Sequence, residues 1–180
     1  MKLDFNDDSS LTVALTGMGV IQALKDDELE GSYVYKRDFS KVASPVNEAE
    51  FTFESFSKQL AEKKVNIKSM LVGKNALVVG LSNNAFQDII FRTKIHPKRK
   101  ASDLSEDERR SLYDMIKLVI SERIQLGGKD QFTDIYGRQG QYTPAMGSNM
   151  SEKTCLVCGT RIEKLNLGGG QVYLCPKCQK

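Results

Sequence analysis

Four cysteines near the end of the sequence are the residues with the most definite chemistry. They form two Cys-x-x-Cys pairs separated by sixteen residues: Cys155, Cys158, Cys175 and Cys178. Two such pairs offer four thiolates from two short turns, which is the ligand set of a tetrahedral structural zinc site. Two disulfides are the alternative. The metal-type spacing, and the absence of a secretory signal ahead of the cysteines, favour zinc.

The residues between the two pairs have the composition of a β-hairpin. Gly168–Gly170 form a glycine turn with apolar residues on both sides, namely Ile162, Leu165, Val172 and Tyr173. Apolar runs around a glycine turn are typical of paired antiparallel strands. The last thirty residues are therefore predicted to be a zinc ribbon.

The composition is that of a soluble globular protein. The 180 residues are 40% hydrophobic and 27% charged, a size for one large domain or two small ones. No apolar run approaches membrane-spanning length, and the first residues do not resemble a signal peptide. We therefore expect a cytoplasmic protein that has no membrane partner.

The distribution of charge is more informative than the formal total of +3. Residues 1–50 hold five basic and ten acidic side chains, whereas residues 74–100 hold six and one, and residues 151–180 hold five and two. Positive charge is thus concentrated around one helical region and the zinc module, where a polyanion would bind. On charge alone, a solvated face explains the pattern equally well.

The first forty residues are predicted to be β-structure. Leu3–Phe5 and Leu11–Leu15 flank the turn sequence Asn6–Ser10, the pattern resumes over Val20–Leu24, and Tyr33–Tyr35 is a further short strand. Three or four strands bury little core by themselves. They are expected to belong to a larger sheet whose remainder is missing or supplied by a partner.

Helical patterns follow a linker at residues 40–50. The first helix has an apolar face made by Phe53, Phe56 and Leu60, and a second, short one has Ile67, Met70 and Leu71. Lys63-Lys64 are predicted to end the first helix. Lys68 lies on the other face of the second helix, and from the residues alone it is interpreted as a solvated lysine.

A third helix is predicted to begin at a turn rich in Gly, Ser and Asn. Ser82 and Asn83 are natural N-cap residues, and a helix start exposes backbone N–H groups at its positive end, which is a ready phosphate site. Pro97 is expected to stop this helix. His96, beside it, is interpreted as a capping or packing residue rather than a catalyst.

The last helix is predicted from a capping box, Ser105 with Glu108, and ends at Gly127-Gly128. Its core-facing stripe is Leu112, Met115, Ile116, Val119 and Ile120. Residues 129–154 are irregular and polar, and residues 141–154 are interpreted as a flexible loop.

Taken together, these motifs resemble the formamidopyrimidine-DNA glycosylase and endonuclease VIII family. The segment G-L-S-N-N-A-F-Q-D-I-I-F-R-T-K-I-H-P at residues 80–97 resembles the helix-two-turn-helix signature of that family. The L-S-x-x-E capping box, the Y-G-R-x-G segment at residues 136–140 and the C-x2-C/C-P-x-C-Q finger follow in the family's order. The resemblance spans roughly residues 66–180, while residues 1–65 resemble the family only loosely.

The resemblance implies a base-excision-repair DNA glycosylase/AP lyase acting on oxidised bases. In that family the helix-two-turn-helix and the zinc hairpin grip the backbone of damaged or abasic duplex DNA, and the target nucleotide is flipped out of the stack. Carried over by position, the implied DNA-contact residues are Asn83, Lys68, Ser82, Tyr136 and Gln171. The four cysteines would hold the zinc.

Three departures from the family pattern bear on catalysis. The family's nucleophile is an N-terminal proline followed by a glutamate, whereas this sequence begins Met1-Lys2-Leu3, so no catalytic residue is assigned. Gly170 stands where active relatives carry an arginine five residues before the third cysteine, so a bidentate phosphate contact is lost. Thr16–Gly19 offer no counterpart of the Arg-Phe loop that fills the gap left by the flipped base.

The expected fold class is α+β, in four segments. Residues 1–43 are a remnant of an N-terminal antiparallel β-sandwich, residues 44–140 the helix-two-turn-helix domain, residues 141–154 a loop and residues 155–180 a zinc finger. The expected function is the DNA-binding part of a glycosylase whose catalytic Pro-Glu segment is absent here. A non-catalytic zinc-containing DNA binder and a zinc-ribbon protein-interaction module are the alternatives.

Overall fold

The computed structural model describes residues 1–14, 21–38, 43–47, 49–73 and 76–180. The chain divides into two compact units, Met1–Ser40 and Lys41–Lys180, and each is considered by itself. The stretch Thr16–Gly19, compared above with a base-replacing loop, lies outside the described residues. So do Leu15 and Val20 of the predicted strands.

The first unit contains one β-hairpin. Strands β1 (Lys2–Asp4) and β2 (Ser10–Thr12) pair antiparallel with Leu3 opposite Leu11, so the predicted hairpin is confirmed. The Met1 ammonium donates to the Val13 carbonyl at 2.9 Å. The unit's described part buries almost no apolar surface, and its exposed large side chains are Met1, Leu3, Phe5, Leu11, Ile21, Leu24, Leu29 and Tyr33.

The predicted strand at Tyr33–Tyr35 is wrong. A 3-10 helix, Asp26–Gly31, leads into a short helix, α1 (Tyr33–Asp38). The hydroxyl of Ser32 accepts from the Tyr35 backbone N–H at 3.5 Å, and Lys36 N–H bonds the Ser32 carbonyl at 3.0 Å. Ser32 thus supplies local hydrogen bonds that favour a helical turn over an extended strand.

Four helices form the centre of the second unit. They are α2 (Phe53–Glu62), α3 (Ile67–Val72), α4 (Asn83–Arg92) and α5 (Glu106–Gln125). Helix α5 packs against α2 and α4, and α4 also packs against α3. Their shared core includes the side chains of Phe56, Leu60, Ile67, Leu71, Phe86, Ile89, Ile90, Leu112, Ile116 and Val119, each at most 2% exposed.

Local signals fix most of the helix ends. Asn66, Ser82 and Ser105 each accept a backbone N–H three residues ahead, and Ser105 and Glu108 form the predicted capping box. Helix α5 ends before Gly127 and Gly128, whose φ angles of 66° and 95° close the helix as predicted.

Pro97 does not stop α4, so that prediction is wrong. The helix ends at Arg92, five residues earlier, with Thr93 as its C-cap. Lys94 has φ 59° in the left-handed region, and its N–H bonds the Phe91 carbonyl at 3.1 Å. A lysine that turns the chain at this point carries no sequence signal comparable to a glycine or proline.

The chain ends in the predicted β-hairpin. Strands β3 (Glu163–Leu167) and β4 (Gly170–Leu174) pair antiparallel, with Gly168 and Gly169 at the turn. Their φ angles of 54° and 74° are those of a type I′ turn, which suits glycine. β4 packs against α4. None of the helices in the described ranges combines the length and apolar character that a bilayer crossing requires.

The segment 141–154 is less solvated than its polar composition indicates. It contains one 3-10 helix, Ser148–Met150, and buries Tyr142, Met146 and Met150. Two of these side chains belong to a second apolar cluster beneath the ribbon, which also contains Cys155, Ile162, Tyr173 and Cys175. This segment therefore joins the helices to the ribbon by packing.

Candidate metal centre and nucleic-acid interface

The four cysteines converge as a metal site requires. Their sulfur atoms all lie within 4.8 Å of one another, and Cys158–Cys175 and Cys155–Cys178 are separated by 3.4 Å and 3.9 Å. A tetrahedron with Zn–S bonds of about 2.3 Å has edges of about 3.8 Å. A disulfide needs about 2.05 Å. The geometry fits zinc and does not fit disulfides, and the four thiols are free.

The close approach of the four sulfurs also shifts the pKa values of the thiols. Neighbouring sulfurs, Cys158 first, together with burial, raise the pKa of Cys178 to about 12. The hydrogen bond with Thr160 lowers the pKa of Cys158 to about 6. Four crowded thiols resist full deprotonation on their own, and a divalent ion that binds thiolates offsets this repulsion.

Backbone and side-chain hydrogen bonds hold the two cysteine turns in place. The Cys155 N–H bonds the Thr160 carbonyl at 2.8 Å, and the Gly159 N–H bonds the Cys155 carbonyl at 2.8 Å. In the second turn, Gln179 is 2% exposed and accepts from the Cys175 N–H at 2.9 Å. Its amide donates to the Ile95 carbonyl at 3.0 Å, which ties the metal site to the loop after α4.

The start of α4 faces the zinc hairpin. The exposed Ser82 hydroxyl accepts the Ala85 N–H at 3.2 Å, and the Asn83 amide donates to the Gln171 carbonyl at 2.8 Å. One turn on, Gln87 accepts from the Tyr173 N–H at 2.7 Å. Asn83 and Gln87 thus satisfy backbone groups of β4 that have no partner strand on that side.

Lys68 is not solvated, so the interpretation drawn from the residues alone is wrong. It is 5% exposed, and its ammonium donates to the Leu167 carbonyl at the hairpin turn. Burial lowers the pKa of Lys68. A Cβ placed on Gly170 would lie 3.4 Å from the Lys68 Nζ and 3.8 Å from the Asn83 Nδ2. Both donors therefore flank the position where an arginine was expected.

A groove of about 690 Å³ opens between α4, α5 and the hairpin. The basic residues that line it, Arg123 and Lys129, were not predicted from the sequence as contact residues. Arg123 donates to the Asn84 side-chain oxygen at 2.7 Å, and Lys129 bonds the Gln131 side chain at 2.6 Å. The groove is lined by Ser82, Asn83, Asn84, Gln87, Arg123, Lys129, Phe132, Ser148, Gln171 and Tyr173.

A buried polar network supports one side of this groove. Asp88 is completely buried and accepts from the Tyr142 hydroxyl, from Arg92 at 3.2 Å and from the Ala145 N–H at 3.0 Å. Burial and the hydrogen bond with Asp88 raise the pKa of Tyr142 well above its ordinary value. The Arg123 guanidinium lies 4.6 Å from the centroid of the Tyr142 ring. The network connects residues distant in sequence, so no local pattern marks it.

The structure brings together four of the five predicted contact residues. Ser82, Asn83 and Gln171 line the groove, and Lys68 lies behind the hairpin turn beside Asn83. Tyr136 is 75% exposed in a turn held by Asp134 and is not among the groove residues.

The arrangement of a helix-two-turn-helix core with a four-cysteine ribbon defines the class of this protein. Residues 43–134 match the helix-two-turn-helix domain of formamidopyrimidine-DNA glycosylases, and residues 152–180 match the zinc finger found in these enzymes and in IleRS. The chain belongs to the formamidopyrimidine-DNA glycosylase family, and its cysteine site is a zinc site.

Relatives of known identity support this assignment. The chain is 30% identical over 167 residues to formamidopyrimidine-DNA glycosylase of Streptococcus pneumoniae strain R6, covering 90% of this chain and 58% of that protein. It is 34% identical over 140 residues to the Pasteurella multocida enzyme, covering 76% and 51%. The chain thus spans little more than half the length of these relatives.

Solved structures show the same fold. The Lactococcus lactis enzyme, in complex with DNA containing an abasic site, superimposes with a TM-score of 0.75 at 26% identity, covering 87% of this chain and 57% of that one. MutM in complex with DNA containing carbocyclic 8-oxo-G gives a TM-score of 0.73 at 26% identity, covering 87% and 56%. The α+β fold class is confirmed.

Proposed function

We propose that this chain is the DNA-binding part of a base-excision-repair DNA glycosylase/AP lyase acting on oxidised bases. The observation that carries the proposal is the groove where the start of α4, Arg123, Lys129 and the zinc hairpin meet. Relatives of the same fold bind duplex DNA with an abasic site or an 8-oxo-G analogue. A role on cellular DNA also fits the cytoplasm, where thiols remain reduced.

The groove has the chemistry of a phosphate site. The first N–H groups of α4 have no partner within the helix and lie at the positive end of its dipole. Arg123 and Lys129 add two positive charges beside them. The Asn83 side-chain oxygen and the Arg123 Nε are buried without a hydrogen-bond partner. A phosphate and its water shell would supply acceptors and donors for such groups.

Individual roles follow from the contacts. We assign Asn83 a phosphate contact through its amide, which is bonded to the Gln171 carbonyl without DNA. Ser82 and Gln171 flank it at the groove edge. Lys68 would reach a phosphate by exchanging the Leu167 carbonyl for a phosphate oxygen, which makes a stronger, charge-assisted bond. Tyr136, exposed on its turn, would contact the backbone at the periphery.

In this proposal no residue of the sequence is assigned the chemistry of base excision. The Pro-Glu pair that the family resemblance assigns to the chemistry is not found at Met1-Lys2-Leu3. In the proposed division, residues 1–43, which begin with the β1–β2 hairpin, are a remnant of the sandwich that carries this chemistry. Residues 44–140 and 155–180 grip the DNA, and residues 141–154 connect them.

The test is binding to a duplex containing a tetrahydrofuran abasic analogue, followed by fluorescence anisotropy. Asn83→Ala is expected to weaken binding about tenfold, since a hydrogen bond to a charged group contributes about 1.5–3 kcal/mol. The control is Gln59→Ala, which removes an exposed amide on α2 that bonds the Ser55 hydroxyl. Thermal melting and zinc content verify that both variants are folded.

Two outcomes would overturn the proposal. Unchanged affinity in Asn83→Ala would remove α4 from the interface. No salt-dependent DNA binding by the unmodified chain would favour the protein-interaction module instead. Borohydride treatment with true abasic-site DNA is expected to leave the chain uncrosslinked, and a trapped covalent adduct would show that a nucleophile is present within residues 1–180.

A further inference from the structure

We propose a second DNA-phosphate surface, outside the groove, on the segments that precede α3 and follow α4. It consists of Lys63, Lys64, Lys94, Lys98 and Lys100, here called the basic ledge, and all five side chains are exposed. The inference rests on the proposed function, because it extends the same duplex beyond the groove. No motif of the family resemblance includes these lysines as contacts.

Two chain segments that are distant in sequence form most of the ledge. The segment after α2 runs antiparallel to the segment before α5. The Ile67 N–H bonds the Arg99 carbonyl at 2.8 Å, and the Ala101 N–H bonds the Val65 carbonyl at 2.8 Å. The Ser102 N–H bonds the Lys63 carbonyl at 3.1 Å. The fold therefore fixes Lys63 and Lys64 beside Lys100.

The remaining two lysines come from the irregular connection after α4. Lys94 adopts the left-handed conformation that ends the helix, and its carbonyl accepts the Lys180 N–H at 3.0 Å. Lys98 lies in a turn closed by the bond from the Arg99 N–H to the His96 carbonyl at 2.9 Å. Both positions are anchored by backbone hydrogen bonds.

The charge of the ledge is not balanced locally. Arg99, which lies among these lysines, is neutralised by two bonds of 2.9 Å to the Glu108 carboxylate. Among the described residues, none of the five ledge ammonium groups forms an ion pair. Grouping like charges costs self-repulsion, which a polyanion relieves.

The length of α4 gives an approximate distance between Lys94 and the groove residues at the start of the helix. Helix α4 has ten residues and is therefore about 15 Å long at about 1.5 Å per residue. One strand of B-DNA advances about 3.4 Å per nucleotide. Lys94, two residues past the end of α4, is therefore about four to five nucleotide steps from the start of that helix, and only a duplex long enough to reach it gains from its charge.

The experiment compares two abasic-analogue duplexes, one of 24 base pairs and one of 8 base pairs centred on the lesion. Lys98→Gln/Lys100→Gln is expected to weaken binding of the long duplex about tenfold. It should also reduce the slope of log K against log salt by about 2, since each phosphate contact contributes about 0.9. The short duplex should bind both proteins equally.

Two further variants make the result unambiguous. Lys117→Gln removes one charge on α5, where the ammonium lies 5.7 Å from the Tyr113 ring, and should leave the salt slope unchanged. Asn83→Ala should weaken both duplexes. If Lys98→Gln/Lys100→Gln binds the long duplex like the unmodified chain while Asn83→Ala does not, the ledge proposal fails and the groove stands. If neither variant changes binding, the proposed function fails as well.

Discussion

The helical part and the zinc ribbon of the second unit are stabilised by different means. The helices share a large apolar core in which Phe86, Ile89 and Leu112 are inaccessible to solvent. The ribbon has a small cluster in which two of the six buried residues, Cys155 and Cys175, are themselves metal ligands. Burial therefore stabilises the helices, whereas zinc supplies most of the folding free energy of the ribbon.

The two parts are joined by polar contacts as well as by apolar packing. Val172 reaches into the helical core, but the groups that fix the ribbon's orientation are amides and an ammonium. Gln87 and Gln179 are both nearly inaccessible, and each bonds a backbone group across the boundary. Polar bonds are directional, so they set the angle at which the hairpin meets α4.

The largest effect is expected from Cys175→Ser. Losing one thiolate should abolish stoichiometric zinc and unfold the ribbon, since structural zinc contributes on the order of 10 kcal/mol in so small a module. The helices should persist because their core is independent of the metal. Elemental analysis and circular dichroism at 222 nm measure the two parts separately. Loss of the helical signal along with the zinc would show that the helices also depend on the metal.

Phe86→Ala tests whether the helical part depends on its apolar core. Removing a fully buried phenyl ring from the helical core should lower the free energy of unfolding by about 3–5 kcal/mol. Zinc stoichiometry under native conditions should stay at one. Urea unfolding and a zinc assay give both values. If the variant loses zinc while its helices remain stable, the stability of the ribbon depends on the helical core, and the two parts are not stabilised independently.

Gln179→Leu tests the hydrogen bonds that join the ribbon to the loop after α4. The Cys175 N–H and the Ile95 carbonyl would both lose their partner inside the protein, at a cost of about 2 kcal/mol. Zinc should still bind, but its release to a chelator should be faster. Gln125→Leu, at an exposed position on α5, is the matched control. Equal release rates in the two variants would show that Gln179 does not anchor the ribbon.

Glu108→Gln should have the smallest effect, about 1 kcal/mol, and should leave the ribbon unchanged. Arg99 and the Ser105 N–H hold the pKa of Glu108 below its usual value. A depressed carboxyl pKa stabilises the fold above the unfolded pKa, and this contribution is lost as pH falls through the folded pKa.

The difference in unfolding free energy between Glu108→Gln and the unmodified chain should therefore be constant above about pH 5. It should shrink at lower pH, since an unfolded glutamate titrates near about 4.3. The control is Glu106→Gln, also in the first turn of α5, because Glu106 has no arginine partner among the described residues. A difference that does not change with pH would show that the carboxylate charge is not involved.

Local sequence signals predicted the parts of this molecule that are determined locally. Spacing alone indicated the zinc ligands, and the Gly168–Gly169 turn indicated the hairpin that carries them. The capping box at Ser105 located the start of α5 to the residue, and the two candidates Ser82 and Asn83 located the start of α4 to within one residue. The candidate site could be predicted to this extent because ligand knuckles, glycine turns and caps operate over three to five residues.

The rest depends on contacts between distant residues. Lys68 looks like a surface lysine on its own helix, and only the hairpin about one hundred residues later buries it. Arg123 and Lys129 lie at the end of α5 without a motif, and they become groove residues through the packing of α5 on α4. At Tyr33–Tyr35 a local signal was misjudged. These side chains favour a strand, but the hydrogen bonds of Ser32 start a helical turn there.

The fully buried carboxylate of Asp88 has a consequence for the timescale of motion in the connecting segment. The Ala145 amide lies outside any helix or strand, yet its hydrogen is bonded to Asp88, which Arg92 and Tyr142 also hold. That hydrogen can exchange with solvent only when this network opens, which places it among the slowly exchanging amides. An irregular stretch of chain can thus be as long-lived as the helix on which it rests.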